Sequence, residues 1–177
     1  MKRFVQLLFL IFFFLTGACI LYASEPSVPS FSANLGFDFF NYSESYLNMG
    51  ITYNHPLADG LELSLGSNFA LLTKEEAGSV VPYFFIPLDI GLNFIFSNQF
   101  PTYLIGFGVS PVLRIPPNDT DVGRFYMGPF LKAGVRLRVH KLMNIFFNVY
   151  QDLLIGKPNW INTTTRIRLG INFRFTG

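Results

Sequence analysis

Charge is what this sequence has least of. Only 14% of its 177 residues are Asp, Glu, Lys or Arg, where a soluble domain usually carries about 25%, so an ordinary solvated surface is hard to build. A net charge of +2 is too small to draw the chain to nucleic acid, and no Lys/Arg cluster interleaved with aromatics stands apart from the strand-like runs. Cysteine is nearly absent: Cys19 is the only one, so no intramolecular disulfide can form in any compartment. There are two histidines, His55 and His140, and no His, Cys and carboxylate grouping has metal-ligand spacing, so neither a metal nor a cofactor is expected. Helical periodicity and low-complexity tracts are missing after residue 30. What the chain has in abundance is apolar: half of it is hydrophobic, and 22 residues are Phe.

The apolar residues are ordered most clearly at the far end, in Thr164-Thr165-Arg166-Ile167-Arg168-Leu169-Gly170-Ile171-Asn172-Phe173-Arg174-Phe175. From Ile167 the odd positions are large and apolar, while the even positions carry arginine, glycine or asparagine. A period of two puts these on opposite faces of an extended strand. A core has no use for three arginines on one face, whereas a barrel with lipid outside and a polar lumen uses both faces.

The other end reads differently. Met1-Lys2-Arg3 precedes an apolar run from Phe4 to Leu15 and then the small residues Gly17 and Ala18. A basic start, a short apolar core and small residues describe a secretory signal peptide over 1–23. A retained membrane helix from Phe4 to about Tyr22 is the alternative, near the ~20 residues needed to span; the charges that precede the run, and the lack of a basic stop after it, favour a signal. Cleavage after Ala23 competes with a relaxed lipoprotein signal, Leu15-Thr16-Gly17-Ala18-Cys19, in which Cys19 would carry the lipid. Residues 24–30, with two prolines and no period, read as a linker. Residues 31–177 then form the barrel domain.

Seven further segments repeat the alternation, at about 31–39, 46–54, 61–69, 82–96, 102–113, 127–139 and 144–152. Turn chemistry separates them, notably Pro56 with Asp59-Gly60, Ser97-Asn98-Gln99 and His140-Lys141-Leu142, while Thr73 to Ser79 reads as a polar loop and Ile115 to Arg124 is the most loop-like stretch. The spacing predicts an all-β fold, an eight-stranded antiparallel up-and-down transmembrane barrel. Short turns after strands 2, 4 and 6 would be periplasmic, longer loops after strands 3, 5 and 7 external, with both termini periplasmic. The short first connection, Asn41 to Ser45, does not fit that contrast.

The placement of charge decides between membrane and water. Asp38, Glu62, Asp89, Lys132, Arg136, Arg138, Asp152, Arg166, Arg168 and Arg174 all fall on the non-apolar face of their strands. A charge facing lipid at the midplane costs about 2–4 kcal/mol, so a membrane barrel must be built this way. The competing arrangement is a soluble lipocalin-like barrel with the greasy face inside. Its outer surface would then be mostly Gly, Ser and Asn, residues better suited to the cramped interior of an eight-stranded barrel. Tyr42, Tyr53, Tyr83, Phe96, Phe100, Tyr103, Phe125, Tyr126 and Phe175 lie near strand ends, as interfacial aromatic girdles do.

The signal peptide, the eight alternating segments and the ending Phe173-Arg174-Phe175 resemble the small outer-membrane barrels of the OmpA, OmpX and OmpW type. The resemblance covers residues 31 to 175 and implies location in a Gram-negative-type or spirochaete-like outer membrane. It also implies lipid as solvent and recognition by the barrel-insertion machinery, with Phe175 as the terminal aromatic signal although Thr176 and Gly177 follow it. Barrel enzymes of this size that modify lipid A need a histidine-centred site at the outer rim. His55 and His140 fall in periplasmic turns, with no nucleophile or acid converging on a rim histidine, so no enzymatic activity is expected. The sequons at Asn41, Asn118 and Asn162 carry no weight outside a eukaryotic secretory pathway.

Two functions stay open. One is a structural or surface-interaction barrel, with ligands met by its external loops and a lumen plugged by charges. There Asp152 would lie between Lys132 and Arg166, and Asp38 near Arg168. The other is a narrow OmpW-like conduit for small hydrophobic molecules, with the wall loosened at Pro82, Pro87, Pro111 and Pro129. The oligomeric state and any cargo stay open too.

Overall fold

The computed structural model describes residues 28–76, 78–96, 101–115, 124–157 and 159–175. The expected signal peptide, Cys19, most of the linker and Phe100 lie outside them. Eight strands run in chain order: β1 Ser30–Phe40, β2 Glu44–Ala58, β3 Leu61–Glu76, β4 Ser79–Phe96, β5 Thr102–Ile115, β6 Arg124–His140, β7 Met143–Ile155 and β8 Ile161–Arg174. Each pairs antiparallel with its neighbours, and β8 pairs with β1 to close the barrel. Closure gives every strand two partners and leaves no edge, as lipid requires.

The side chains alternate as the period of two demands. On β8, Asn162, Thr164, Arg166, Arg168 and Asn172 are buried, while Leu169, Ile171 and Phe173 point out. The outward face of the barrel carries Leu35, Phe37, Met49, Ile51, Ile90, Phe107, Leu131 and Leu169, each at least 45% exposed. A water-soluble monomer rarely shows a continuous apolar patch beyond a few hundred Å². Here the apolar face continues from strand to strand, and the exposed charged residues Asp59, Glu75, Arg138, Lys141 and Lys157 sit in turns or near strand ends. That surface matches a hydrocarbon belt with polar margins.

Several expected boundaries move. Thr73 to Glu76 are strand, paired with Ser79 to Pro82, so the connection after β3 is a tight turn through Gly78 (φ 81°) rather than a long polar loop. The polar residues misled because this end of the hairpin has no lipid to face: β2 pairing stops at Leu71 and β5 pairing at Phe84. Beyond those residues β3 and β4 pair only with each other, forming a two-stranded arm above the closed wall. At the opposite end β2 continues through His55 and Pro56 to Ala58, with a bulge between Pro56 and Ala58 and a turn at Asp59-Gly60. The extra residue of the bulge is Leu57, while Pro56 stands opposite Glu62 near the margin of the sheet.

Two members of the expected girdle also move. Tyr126 is 1% exposed and faces the lumen, and Tyr83 is half-buried against the same inner cluster. On β6 and β4 these positions share parity with Gly128 and Phe85, which point inward, so alternation overrides nearness to the strand end. Tyr42, Tyr53, Tyr103, Phe125 and Phe175 do face outward.

Candidate functional site in the barrel lumen

The inward faces stack into layers. Outermost, beside the arm, is a clamp centred on Glu44 of β2. Arg114 Nη2 donates to both carboxylate oxygens at 2.9 and 3.0 Å, and Lys74 Nζ donates to Oε1 at 2.7 Å. Tyr46 Oη donates to Glu44 Oε2 at 2.8 Å and accepts from Arg114 Nε at 3.2 Å. Below it lies a small apolar core of Phe40, Tyr46, Ala70, Phe85, Val112, Tyr126 and Leu154. Phe40 packs against Phe85 and Tyr126 with ring centroids 5.6 and 5.5 Å apart, and the Arg114 guanidinium lies 5.7 Å from the Phe40 ring. Alternation alone cannot reveal this core, because its members occupy the face otherwise given to polar residues.

The middle layer holds the densest charge. Asp89 on β4 accepts from Arg166 Nη1 at 2.7 Å and from Arg168 Nη1 at 2.9 Å, both on β8. Strands 4 and 8 are four apart in an eight-stranded ring, so these bonds cross the lumen rather than run along its wall. Arg166 Nη2 also donates to Asp152 Oδ1, while Ser110 and Asn68 donate to Asp89 at 2.9 and 3.3 Å. The guanidiniums of Arg166 and Arg168 lie 4.7 and 4.5 Å from the Tyr150 ring, so the cations are held by π-faces as well as carboxylates. Charges buried this deeply persist only when paired and hydrogen-bonded.

The expected pairings hold for Arg166 with Asp152 and for Asp38 near Arg168, and shift for Lys132. Arg166 does meet Asp152. Lys132 does not: it stands opposite Tyr150, with Phe130 opposite Asp152, and its ammonium donates to Asn93 Oδ1 at 3.0 Å. Asp38 stands opposite Arg166 in the ladder yet lies near Arg168, whose charge acts on it more strongly than that of Arg166; it accepts from Asn48 at 2.7 Å, and Arg168 also bonds Asp89. Ladder neighbours were the wrong guide because long arginines reach across a narrow lumen more easily than they fold back along it.

Nearer the end that carries the β2–β3 and β6–β7 turns, Arg136 forms a two-point ion pair with Glu62 at 3.0 and 2.7 Å, again across strands distant in order. Such fork-on-fork bonding is the strongest geometry open to this pair. Arg138 is exposed near the β6–β7 turn and Arg174 is partly exposed at the end of β8, so neither belongs to the buried layers. His55 and His140 are both exposed at this same end; His55 Nδ1 lies 3.1 Å from Tyr53 Oη, and His140 Nδ1 accepts from the Leu142 amide at 3.4 Å. Among the described residues, no group of three His, Cys, Asp or Glu side chains is arranged to hold a metal ion.

The wall has weak points. Strand pairing lapses between Ser67–Leu88 and Ala70–Phe85, between Pro87–Val112 and Ile90–Val109, and between Met127–Ile155 and Phe130–Asp152. Pro87, Pro111 and Pro129 fall inside or beside these gaps, since proline has no N–H to give the ladder. Pro82, by contrast, pairs with Thr73 within the arm.

Closed antiparallel topology, an apolar exterior and a polar lumen together define an eight-stranded transmembrane β-barrel of the outer-membrane type. No protein-family model and no curated protein matches the chain. Solved structures do. Neisserial surface protein A superposes with a TM-score of 0.71 over 83% of this chain and 97% of that one, at 11% identity. The outer-membrane protein OprG of Pseudomonas aeruginosa gives 0.60 over 87% and 99%, also at 11% identity. Ail, the attachment invasion locus protein of Yersinia pestis, gives 0.58 over 84% and 97%, at 11% identity. Identity this low carries the fold, and the fold is that of the small outer-membrane barrels.

Proposed function

We propose that this protein is a closed outer-membrane barrel with a structural or surface-interaction role and no catalytic activity. The observation that carries the reading is the pair of salt bridges from Arg166 and Arg168 to Asp89 across the full width of the lumen. It lies below an aromatic core, and both layers stand in the path a solute would take. The interaction role rests on the β3–β4 arm, which projects past the closed wall with Glu75 and Val80 exposed to partners.

Planar-bilayer recording of the purified barrel tests the closed state. The expected trace has no steady conductance; a stable open level of nanosiemens magnitude in the wild-type protein overturns it.

A second reading has its own observation. The ladder gaps beside Pro87, Pro111 and Pro129 loosen the wall at the height of Asp89, where a lateral route for small apolar molecules would open. Replacing those prolines with Val should reduce uptake of an apolar tracer by vesicles if the conduit operates, and unchanged uptake removes it.

A further inference from the structure

Lys132 is an ammonium group buried in the lumen at 4% exposure, yet no carboxylate lies within ion-pair distance of it among the described residues. Its direct partners are the Asn93 amide oxygen at 3.0 Å and the Tyr150 ring, 5.3 Å from the nitrogen to the centroid. Glu62, the carboxylate of this layer, is already taken at both oxygens by Arg136. Among the described residues of this layer, two buried cations thus share the field of one carboxylate, Glu62, whose ion pair is with Arg136.

Beside Lys132 is a small polar cavity of about 10 Å³, lined by Ser32, Thr52, Asn54, Lys132, Arg136, Phe146, Asn148 and Tyr150. That is room for one water or one small monatomic ion. No carboxylate lines it. A neutral group can donate as well. The Ser32 hydroxyl accepts from Asn172 at 2.8 Å and keeps its own hydrogen to give. A buried cation with no carboxylate in contact, beside a space whose described lining holds no carboxylate, is the reverse of a metal site.

We propose that this cavity binds one small monovalent inorganic anion, chloride in size, as the counter-ion of Lys132. Such an ion balances the layer's charge and satisfies donors that a single water, with two hydrogens of its own to place, satisfies less well. The site is fixed within the wall-lining side chains, so it goes beyond the closed-lumen reading and does not require conduction.

The test uses bromide as an anomalous scatterer. Crystals of the wild-type barrel grown in sodium bromide should show an anomalous peak in contact with Lys132 Nζ, and the Lys132→Met variant should lack it. In detergent at constant ionic strength, exchanging gluconate for chloride should raise the wild-type unfolding midpoint by roughly 2–4 °C, by mass action on the folded state, and leave Lys132→Met unmoved. If that variant does not fold, Ser32→Ala, which removes one donor and keeps the charge, should weaken the midpoint shift without abolishing it. Water density without an anomalous peak in wild-type crystals, or an equal midpoint shift in wild type and Lys132→Met, overturns the site. Because bilayer conductance is measured separately, failure here is distinguishable from failure of the closed-lumen reading.

Discussion

Arg166 on β8 and Asp89 on β4 meet at 2.7 Å from opposite walls of the barrel. Through that contact, and through the Arg168 bond to the same carboxylate at 2.9 Å, the last strand of the chain is braced against the fourth. Backbone ladders hold each strand only to its two neighbours. The Asp89 carboxylate is therefore a strut that couples parts of the ring the ladders do not couple directly.

Asp89→Asn should destabilise the barrel by about 3–5 kcal/mol, because it leaves two buried guanidiniums sharing the remaining carboxylates. Arg168→Met alone should cost less than Asp89→Asn, since Arg166 keeps Asp89 and Asp152. The double variant should fall well short of the sum of the two, as groups in one network couple. Urea unfolding in lipid vesicles measures all three; simple additivity would show that the strut is not one network.

Small residues set how closely the walls approach. A Cβ on Gly128 would lie 1.8 Å from the Leu153 carbonyl oxygen, a backbone atom that cannot swing away. Gly66 is looser, the Thr52 hydroxyl being 3.3 Å from the same hypothetical atom. Gly128→Ala should therefore cost about 1–3 kcal/mol through forced backbone shifts, whereas Gly66→Ala should stay within about 1 kcal/mol. Heat-modifiability on electrophoresis gives a quick comparison, and equal midpoints for the two would contradict the steric account.

Most of the fold is legible in the sequence because lipid enforces the period of two. Arg166, Arg168, Asp152 and Asp89 could be assigned to the lumen from parity alone, and the lumen is where they lie. Two kinds of feature were not legible. Beyond the hydrocarbon belt the enforcing solvent is gone, so Thr73 to Glu76 look like a loop although they are strand. Inside the barrel, parity says which face a residue takes but not which of seven other strands it reaches. Hence Asp89 as the partner of Arg166, and Glu62 as the partner of Arg136, emerge only from the structure. The Glu44, Lys74 and Arg114 clamp was missed for both reasons together: it sits at the margin of the belt and joins β2, β3 and β5.

The same solvent argument predicts a depth profile on the outer face. Leu131 is 65% exposed near the middle of β6, and Val139 is 55% exposed next to the β6–β7 turn. Leu131→Arg should cost about 2–4 kcal/mol and Val139→Arg about 0–1 kcal/mol, since the penalty falls toward the interface. Folding free energies in vesicles of known thickness supply the comparison. Equal costs would mean that Leu131 does not face hydrocarbon.

Arg114 braces the arm end of the lumen through a geometry that lysine cannot reproduce. Its guanidinium bonds both oxygens of Glu44 and the Tyr46 hydroxyl while lying 5.7 Å from the rings of Phe40 and Tyr83. A lysine keeps the charge but loses the fork and the flat stacking surface. Arg114→Lys should give up about 1–3 kcal/mol of clamp energy, the scale of hydrogen bonds to a charged group. Part of that loss is local, because Lys74 on the arm shares Glu44 with Arg114. The arm beyond Leu71 and Phe84 has no other strand beside it, so a loosened clamp frees it to open without unfolding the barrel. Limited trypsin digestion of the folded protein should accordingly cut after Lys74 several-fold faster in Arg114→Lys, with the barrel's unfolding midpoint little changed. Faster cutting together with a large fall in the midpoint would instead mean that Arg114 supports the whole outer half of the ring.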